Sequence, residues 1–197
     1  MKILWYLIFI PIISSSLLSA QPLQLAADVD LTRIQGGWYI LAAIPNPFER
    51  HLEGMYDYYS LLRDGSIQED FFTHKDSFSS GVEHFRVHDT ISPSTHNALW
   101  HVHLLGPISA PFPLLYTSPD YHYLLFGYPN RKLGWIYSRS PRIDEKTYQE
   151  LLRHFAAEGY DTSRFRRTVQ FPEQFDKAGF SAPPRQSDNG VLMTGSR

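Results

Sequence analysis

From Trp38 onward, short apolar runs alternate with turn residues, and the runs have the length and alternation of strands rather than of helices. They fall at 38–44, 55–62, 67–73, 82–91, 98–105, 114–117, 121–127 and 133–139. Between them stand Pro45-Asn46-Pro47, Arg63-Asp64-Gly65, Ser92-Pro93-Ser94, Gly106-Pro107, Ser118-Pro119-Asp120 and Pro129-Asn130, and Pro141 follows the last. Asp64-Gly65 is a hairpin signal. The pattern predicts an all-β fold in which eight antiparallel strands meander by short loops. Such a sheet removes its unpaired edges by closing into an up-and-down barrel, whose interior suits one small ligand.

The period changes after Pro141. Tyr148, Leu151, Leu152 and Phe155 recur at helical spacing, behind an acidic start at Asp144-Glu145 and ahead of Gly159 as a cap. One amphipathic helix of about four turns is therefore expected to pack on the outside of the barrel. Asp28-Val29-Asp30-Leu31 suggests one helical turn before the first strand.

The chain has 197 residues, enough for one domain. A net charge of −2 and the absence of a basic stripe argue against a nucleic-acid partner. The aromatic load, 12 Tyr, 13 Phe and 4 Trp, suits a β-rich fold with a ligand pocket. There is no cysteine, which excludes disulfides, thiolate metal sites and cysteine-linked lipids. Residues 1–20, with Lys2 ahead of an apolar run and Ser19-Ala20 at its end, read as a secretory signal peptide. The expected division is 1–20 signal, 21–177 folded domain and 178–197 disordered tail. A cysteine-free exported chain fits the bacterial periplasm better than animal secretion.

Gly36-Gly37-Trp38, then Ser118-Pro119-Asp120-Tyr121, then Trp135 through Arg139 with Ser140-Pro141 behind it, stand in the order of three lipocalin motifs. Asn46-Pro47-Phe48-Glu49, Asp64-Gly65, Leu104-Leu105-Gly106-Pro107 and Gly159-Tyr160-Asp161 add matches. The chain resembles the lipocalin family, in the branch of the bacterial outer-membrane lipocalins and apolipoprotein D. The resemblance implies a calyx that binds and carries or stores small hydrophobic ligands, fatty acids or lysophospholipids, for envelope membrane maintenance. It implies no cofactor and no metal, transient contact with a membrane surface, and a monomer or homodimer. Without a lipobox cysteine, a periplasmic or secreted protein is expected. It also implies structural roles for Gly36, Trp38, Asp120, Tyr121 and Arg139, with the arginine lying across the tryptophan at the closed end.

Period-two alternation gives the expected lumen lining. Met55, Asp57, Tyr59 and Leu61 share one inward face, and Ile67, Glu69 and Phe71 another. Phe85 and Val87 share a third, and Trp100, Val102 and Leu104 a fourth. Trp135 and Tyr137 have the parity of Arg139, and Tyr116 and Tyr123 complete the set. His101 and His103 then face solvent and read as surface histidines. Asp57 and Glu69 are unusual in such a lining. Inside the lumen they would bind a cationic headgroup such as choline or ethanolamine, or serve as acid and base on a lipid ester. A register slip of one residue would leave both in water. No serine elbow, zinc-protease motif or phosphate loop supports an enzyme. A pigment, sterol or haem carrier, and a filled barrel that serves interactions alone, remain alternatives.

Overall fold

The computed structural model describes residues 21–105 and 108–181, together with the backbone but not the side chains of Leu104 and Leu105. The expected signal segment, and the tail from residue 182, lie outside the described residues. Eight strands run in chain order: β1 (Gly36–Ala43), β2 (Leu52–Leu61), β3 (Ile67–Lys75), β4 (Val82–Ser92), β5 (Leu99–Leu105), β6 (Ile108–Thr117), β7 (Tyr123–Gly127) and β8 (Gly134–Ser138). Each pairs antiparallel with the next, and β1 pairs with both β8 and β2, so the sheet closes into a barrel. A two-residue strand, β9 (Arg166–Arg167), adds to β1 at Ala42 and Ala43.

Strand β1 leaves β2 and joins β9 through a bulge between Ile40 and Ala42. The carbonyls this exposes are not left bare. Thr168 N–H donates to Leu41 O, Gln170 Nε2 donates to Ile40 O and Met55 O, and the Thr168 hydroxyl also donates to Ile40 O. Both side chains are buried, so the bulge costs no unsatisfied backbone group.

The glycine pair at the start of β1 has two separate causes. Gly36 adopts φ +93°, where a side chain is strained. Gly37 has an ordinary φ, but the Tyr56 ring lies across it, and a Cβ there would sit 1.6 Å from the Tyr56 hydroxyl oxygen. Just beyond, Trp38 is fully buried and its indole N–H donates to Ile34 O at 2.7 Å. The Arg139 guanidinium lies 3.6 Å over the Trp38 ring and donates to Gly37 O, Arg33 O and Gln35 O at 2.7–2.9 Å. It thereby ties the end of β8 to the short helix α1 (Leu31–Ile34) that covers this end of the barrel. The helical turn comes three residues later than expected from the sequence, because Asp30 acts as its cap and accepts from Thr32 N–H. Tyr121, in left-handed backbone at φ 55°, accepts Asp30 N–H on its hydroxyl and carries Arg33 over its ring at 4.1 Å. Asp120 accepts from the Ser118 hydroxyl and from His122 N–H.

Helix α2 (Glu145–Ala157) begins at Asp144, which accepts Thr147 N–H, and ends before Gly159 at φ +79°. Its buried face, Tyr148, Leu151, Leu152 and Phe155, packs on Ala42, Ile44, Leu125 and Ile136 of the barrel's outer side. The inner cluster is separate and includes Trp38, Met55, Tyr59, Ile67, Trp100, Phe126 and Tyr137. Residues 178–181 return to β9, where Ser181 N–H donates to Arg167 O.

Trp38→Ala is expected to destabilise the protein by about 3–5 kcal/mol, because it removes a fully buried indole and leaves Arg139 without its platform. Chemical denaturation checks this; a loss under about 1 kcal/mol would count against the closed end as the keystone.

Candidate functional site

The barrel has one end covered by α1 and another framed by the loops at 44–51, 76–81 and 128–133. Between these ends, strands β2, β3 and β4 supply one wall of the lumen and β5 to β8 the other. Cross-strand register brings three carboxylates together on the first wall. Glu69 lies opposite Tyr59 and Val87, Asp57 opposite Phe71, and Asp89 opposite Ile67 and Val102. Asp57, Glu69 and Asp89 are thus diagonal neighbours on three successive strands, close enough for their carboxyl groups to share protons.

Asp57 and Asp89 are fully buried, and Glu69 is half-buried. The Tyr59 hydroxyl donates to Asp57 Oδ2 at a long 3.5 Å, and the Tyr137 hydroxyl also hydrogen-bonds to that carboxyl. Asp57 Oδ1 and both oxygens of Asp89 are buried and receive no N–H or O–H from a described residue outside the row. No lysine, arginine or histidine among the described residues forms an ion pair with the row. Burial disfavours the charged forms and mutual repulsion adds to it. Asp57 is pushed well above the usual carboxylate range, Glu69 up to about 7 and Asp89 up to about 9. Burial likewise raises the Tyr59 and Tyr137 phenols.

A fourth acid reaches the lumen from the loop after β1. Asn46 accepts Phe48 and Glu49 N–H on its side-chain oxygen, and this tight turn aims Glu49 at Trp135. Both Glu49 oxygens accept the Trp135 indole N–H, at 3.1 and 3.0 Å. Burial raises Glu49 as well, and its charge helps to raise Glu69.

The facing wall is aromatic. Phe112 stacks on Phe126 at 4.3 Å and meets Trp135 edge-on at 5.1 Å. Trp100 and Tyr137 both approach Phe126, and Tyr59 approaches Trp100. Met55, Tyr59, Ile67, Trp100, Trp135 and Tyr137 of the expected lining are buried in the inner cluster, and Leu61 and Phe71 pack against it half-buried. Phe85 pairs with Phe71, its ring 6.2 Å away, and Val87 and Val102 face the lumen half-buried. The side chain of Leu104 lies outside the described residues.

Tyr116 and Tyr123, expected in the lumen, lie on the outer side instead. A bulge between Leu114 and Tyr116 turns Leu115 and Tyr116 outward together, so the alternation counted along the strand inverts there. Tyr116 stacks on His154 of α2 at 3.9 Å, and with Tyr123 it lines an outer groove of about 430 Å³. Residues the sequence reading missed are Asp89, Glu49, Phe112 and Phe126. Asp89 shares the parity of Phe85 and Val87, so its signal was present.

Among the described residues, no group of three or more His, Cys, Asp or Glu is placed to hold a metal ion. His103 meets His88 and the Thr90 hydroxyl on the outer side of β4 and β5.

A family model described as lipocalin-like domain matches residues 29–170. The chain is 31% identical over 143 residues to the outer membrane lipoprotein Blc of Escherichia coli (strain K12), which spans 70% of this chain and 77% of the relative. It is 28% identical over 159 residues to temperature-induced lipocalin-1 of Arabidopsis thaliana, covering 75% and 83%. The fold is similar to that of insecticyanin from the tobacco hornworm Manduca sexta, with a TM-score of 0.61 at 16% identity, covering 83% and 89% of the two chains.

The native state holds protons on the acid row that the unfolded chain releases above the ordinary carboxylate range. The row's contribution to stability is therefore complete below about pH 4 and is lost as pH rises toward about 9. Asp89→Asn, which keeps the shape of the neutral acid, is expected to flatten this decline and to stabilise the ligand-free protein at pH 8 by at least about 1 kcal/mol. Urea unfolding of both proteins across this range checks it.

Proposed function

This chain belongs to the lipocalin family, and from that premise we propose that it is a non-catalytic binder and carrier of elongated apolar molecules, fatty acids or lysophospholipids, in the cell envelope. The family binds small hydrophobic ligands. The observation that carries the finer reading is the state of the lumen wall. Phe71, Phe85, Val87, Val102 and Phe112 face inward by register, yet they are half-buried or, for Phe85, 48% exposed. Apolar side chains that point into a barrel and still meet solvent line unfilled space. Burying an alkyl chain against them yields about 0.8 kcal/mol per methylene.

The rim supports exchange with a membrane. Phe48 is 90% exposed, Val82 61% and Ile108 69%, and all three stand at the open end, where an acyl chain would pass between a bilayer and the lumen. The relative named as an outer membrane lipoprotein, and the leader-like residues 1–20, support an exported protein, periplasmic or secreted. Its folded domain extends past the expected boundary at residue 177, since Gly179 and Ser181 still bond to Arg167.

Native mass spectrometry of the purified chain before and after delipidation tests the reading. A bound acyl lipid, or its uptake by the delipidated protein, is expected. Val87→Trp, which fills the lumen, should weaken acyl-chain binding at least about tenfold while circular dichroism stays that of the parent. No bound lipid and no uptake would overturn the carrier reading.

A further inference from the structure

Resting on that reading, we infer that the lumen selects apolar ligands that carry an aliphatic ammonium group, taken up by Asp57, Glu69 and Asp89 beside the rings of Tyr59 and Tyr137.

Buried carboxyl oxygens are kept in proteins by donors or by a cation. Here neither is supplied from outside the row by the described residues: Asp57 Oδ1 and both Asp89 oxygens are buried with no N–H or O–H but those of the other acids, and no basic side chain pairs with the row. The acids can satisfy one another only by sharing protons. A ligand that brings donors and positive charge together meets both needs, and an alkylammonium carries three N–H donors on one compact charge. Tyr59 and Tyr137, whose hydroxyls meet the Asp57 carboxyl, fit the same group, since a desolvated cation is attracted to aromatic rings. An alcohol offers one donor and no charge, and a carboxylate headgroup offers repulsion.

The approach is open on one side. Glu69 is the half-buried member of the row; Val87 lies level with it and Phe71 and Phe85 stand toward the mouth, and all three are half-buried or exposed although they face inward. The ammonium therefore enters first and meets Glu69, with the chain lying behind it along those three side chains. By register Asp57 lies on the mouth side of Glu69, level with Phe71, and Asp89 on its closed-end side, level with Ile67.

Uptake is coupled to protons. In the empty lumen burial holds Glu69 at about 7 and Asp89 at about 9, with Asp57 also raised. Glu49, Tyr59 and Tyr137 are the other titratable groups facing the row, and they bring no positive charge. An arriving ammonium takes the place of protons on the row, and these leave to solvent.

The test uses the delipidated full chain and three probes of equal chain length: dodecylamine, dodecanol and dodecanoate. Titration calorimetry near pH 7, in buffers of different ionisation enthalpy, is expected to show the amine bound at least about tenfold tighter than the alcohol, with net proton release. The amine-to-alcohol ratio should rise between about pH 5 and 8 in the unaltered protein, a readout independent of any variant. Glu69→Gln and Asp89→Asn, isosteric with the protonated acids, should each lower that ratio toward one. An amine bound no tighter than dodecanol, or a preference that survives both substitutions together, overturns the inference and leaves the carrier reading standing. Failure of all three probes to bind overturns the carrier reading itself, and this inference with it.

Discussion

The antiparallel closure of β1 onto β2 is the constraint on which the rest of the molecule depends. It leaves no sheet edge, so every strand must divide its side chains between lumen and exterior. It requires close backbone approach at Gly36 and Gly37, where Tyr56 lies across the strand. It also sets Trp38 at the closed end, where Arg139 stacks on the indole and gathers the carbonyls of α1. Guanidinium and indole fit here because one planar group can stack and donate in several directions at once. The same strand shifts register against β8 between Ile40 and Ala42, where β9 joins it, and Thr168 and Gln170 answer the carbonyls at the shift.

Closure also explains how acids come to be buried. Closure fixes which face each side chain takes, and the diagonal spacing of β2, β3 and β4 stacks Asp57, Glu69 and Asp89 into a row. Ionised and unpaired, such a row would be expensive, so protons are retained on it well above the ordinary carboxylate range. The remainder of the lumen is apolar and aromatic and supplies the favourable burial that tolerates this local cost. A local rule broken in an otherwise consistent fold is where function is expected. Asp70, on the outer face, differs: it is paired with Arg86 and His84, and its acidity is strengthened rather than suppressed.

Two features of the family resemblance gain physical reasons. Asn46-Pro47-Phe48-Glu49 is a turn in which Asn46 holds two amides, so that Glu49 can bond the Trp135 indole over the lumen. Ser118 through Tyr121 is a turn that places a left-handed tyrosine beneath α1, with its hydroxyl on Asp30 N–H. Both act by fixing loops at opposite ends of the barrel.

The sequence by itself determined the strand succession, the amphipathic face of α2 and the inward parity of β2 to β5, because period and turn chemistry are local properties that survive without a partner strand. Asp57 and Glu69 were placed on the inner face by that parity, and Asp89 was legible by the same count. The tertiary structure alone decided the rest. Strand β6 is longer than its apolar run because Pro111 and Pro113 turn their ring nitrogens away from β5: Leu114 N–H, of the opposite parity, donates to Ala98 O, and β7 does not pair with that stretch. Tyr116 leaves the lumen because one extra residue at a bulge inverts every later position on the strand. Glu49 enters the lumen from a loop, where no period exists to be counted. That three acids on separate strands meet in one diagonal row depends on register across β2, β3 and β4, which is set by long-range pairing and so cannot be counted along any single stretch of chain.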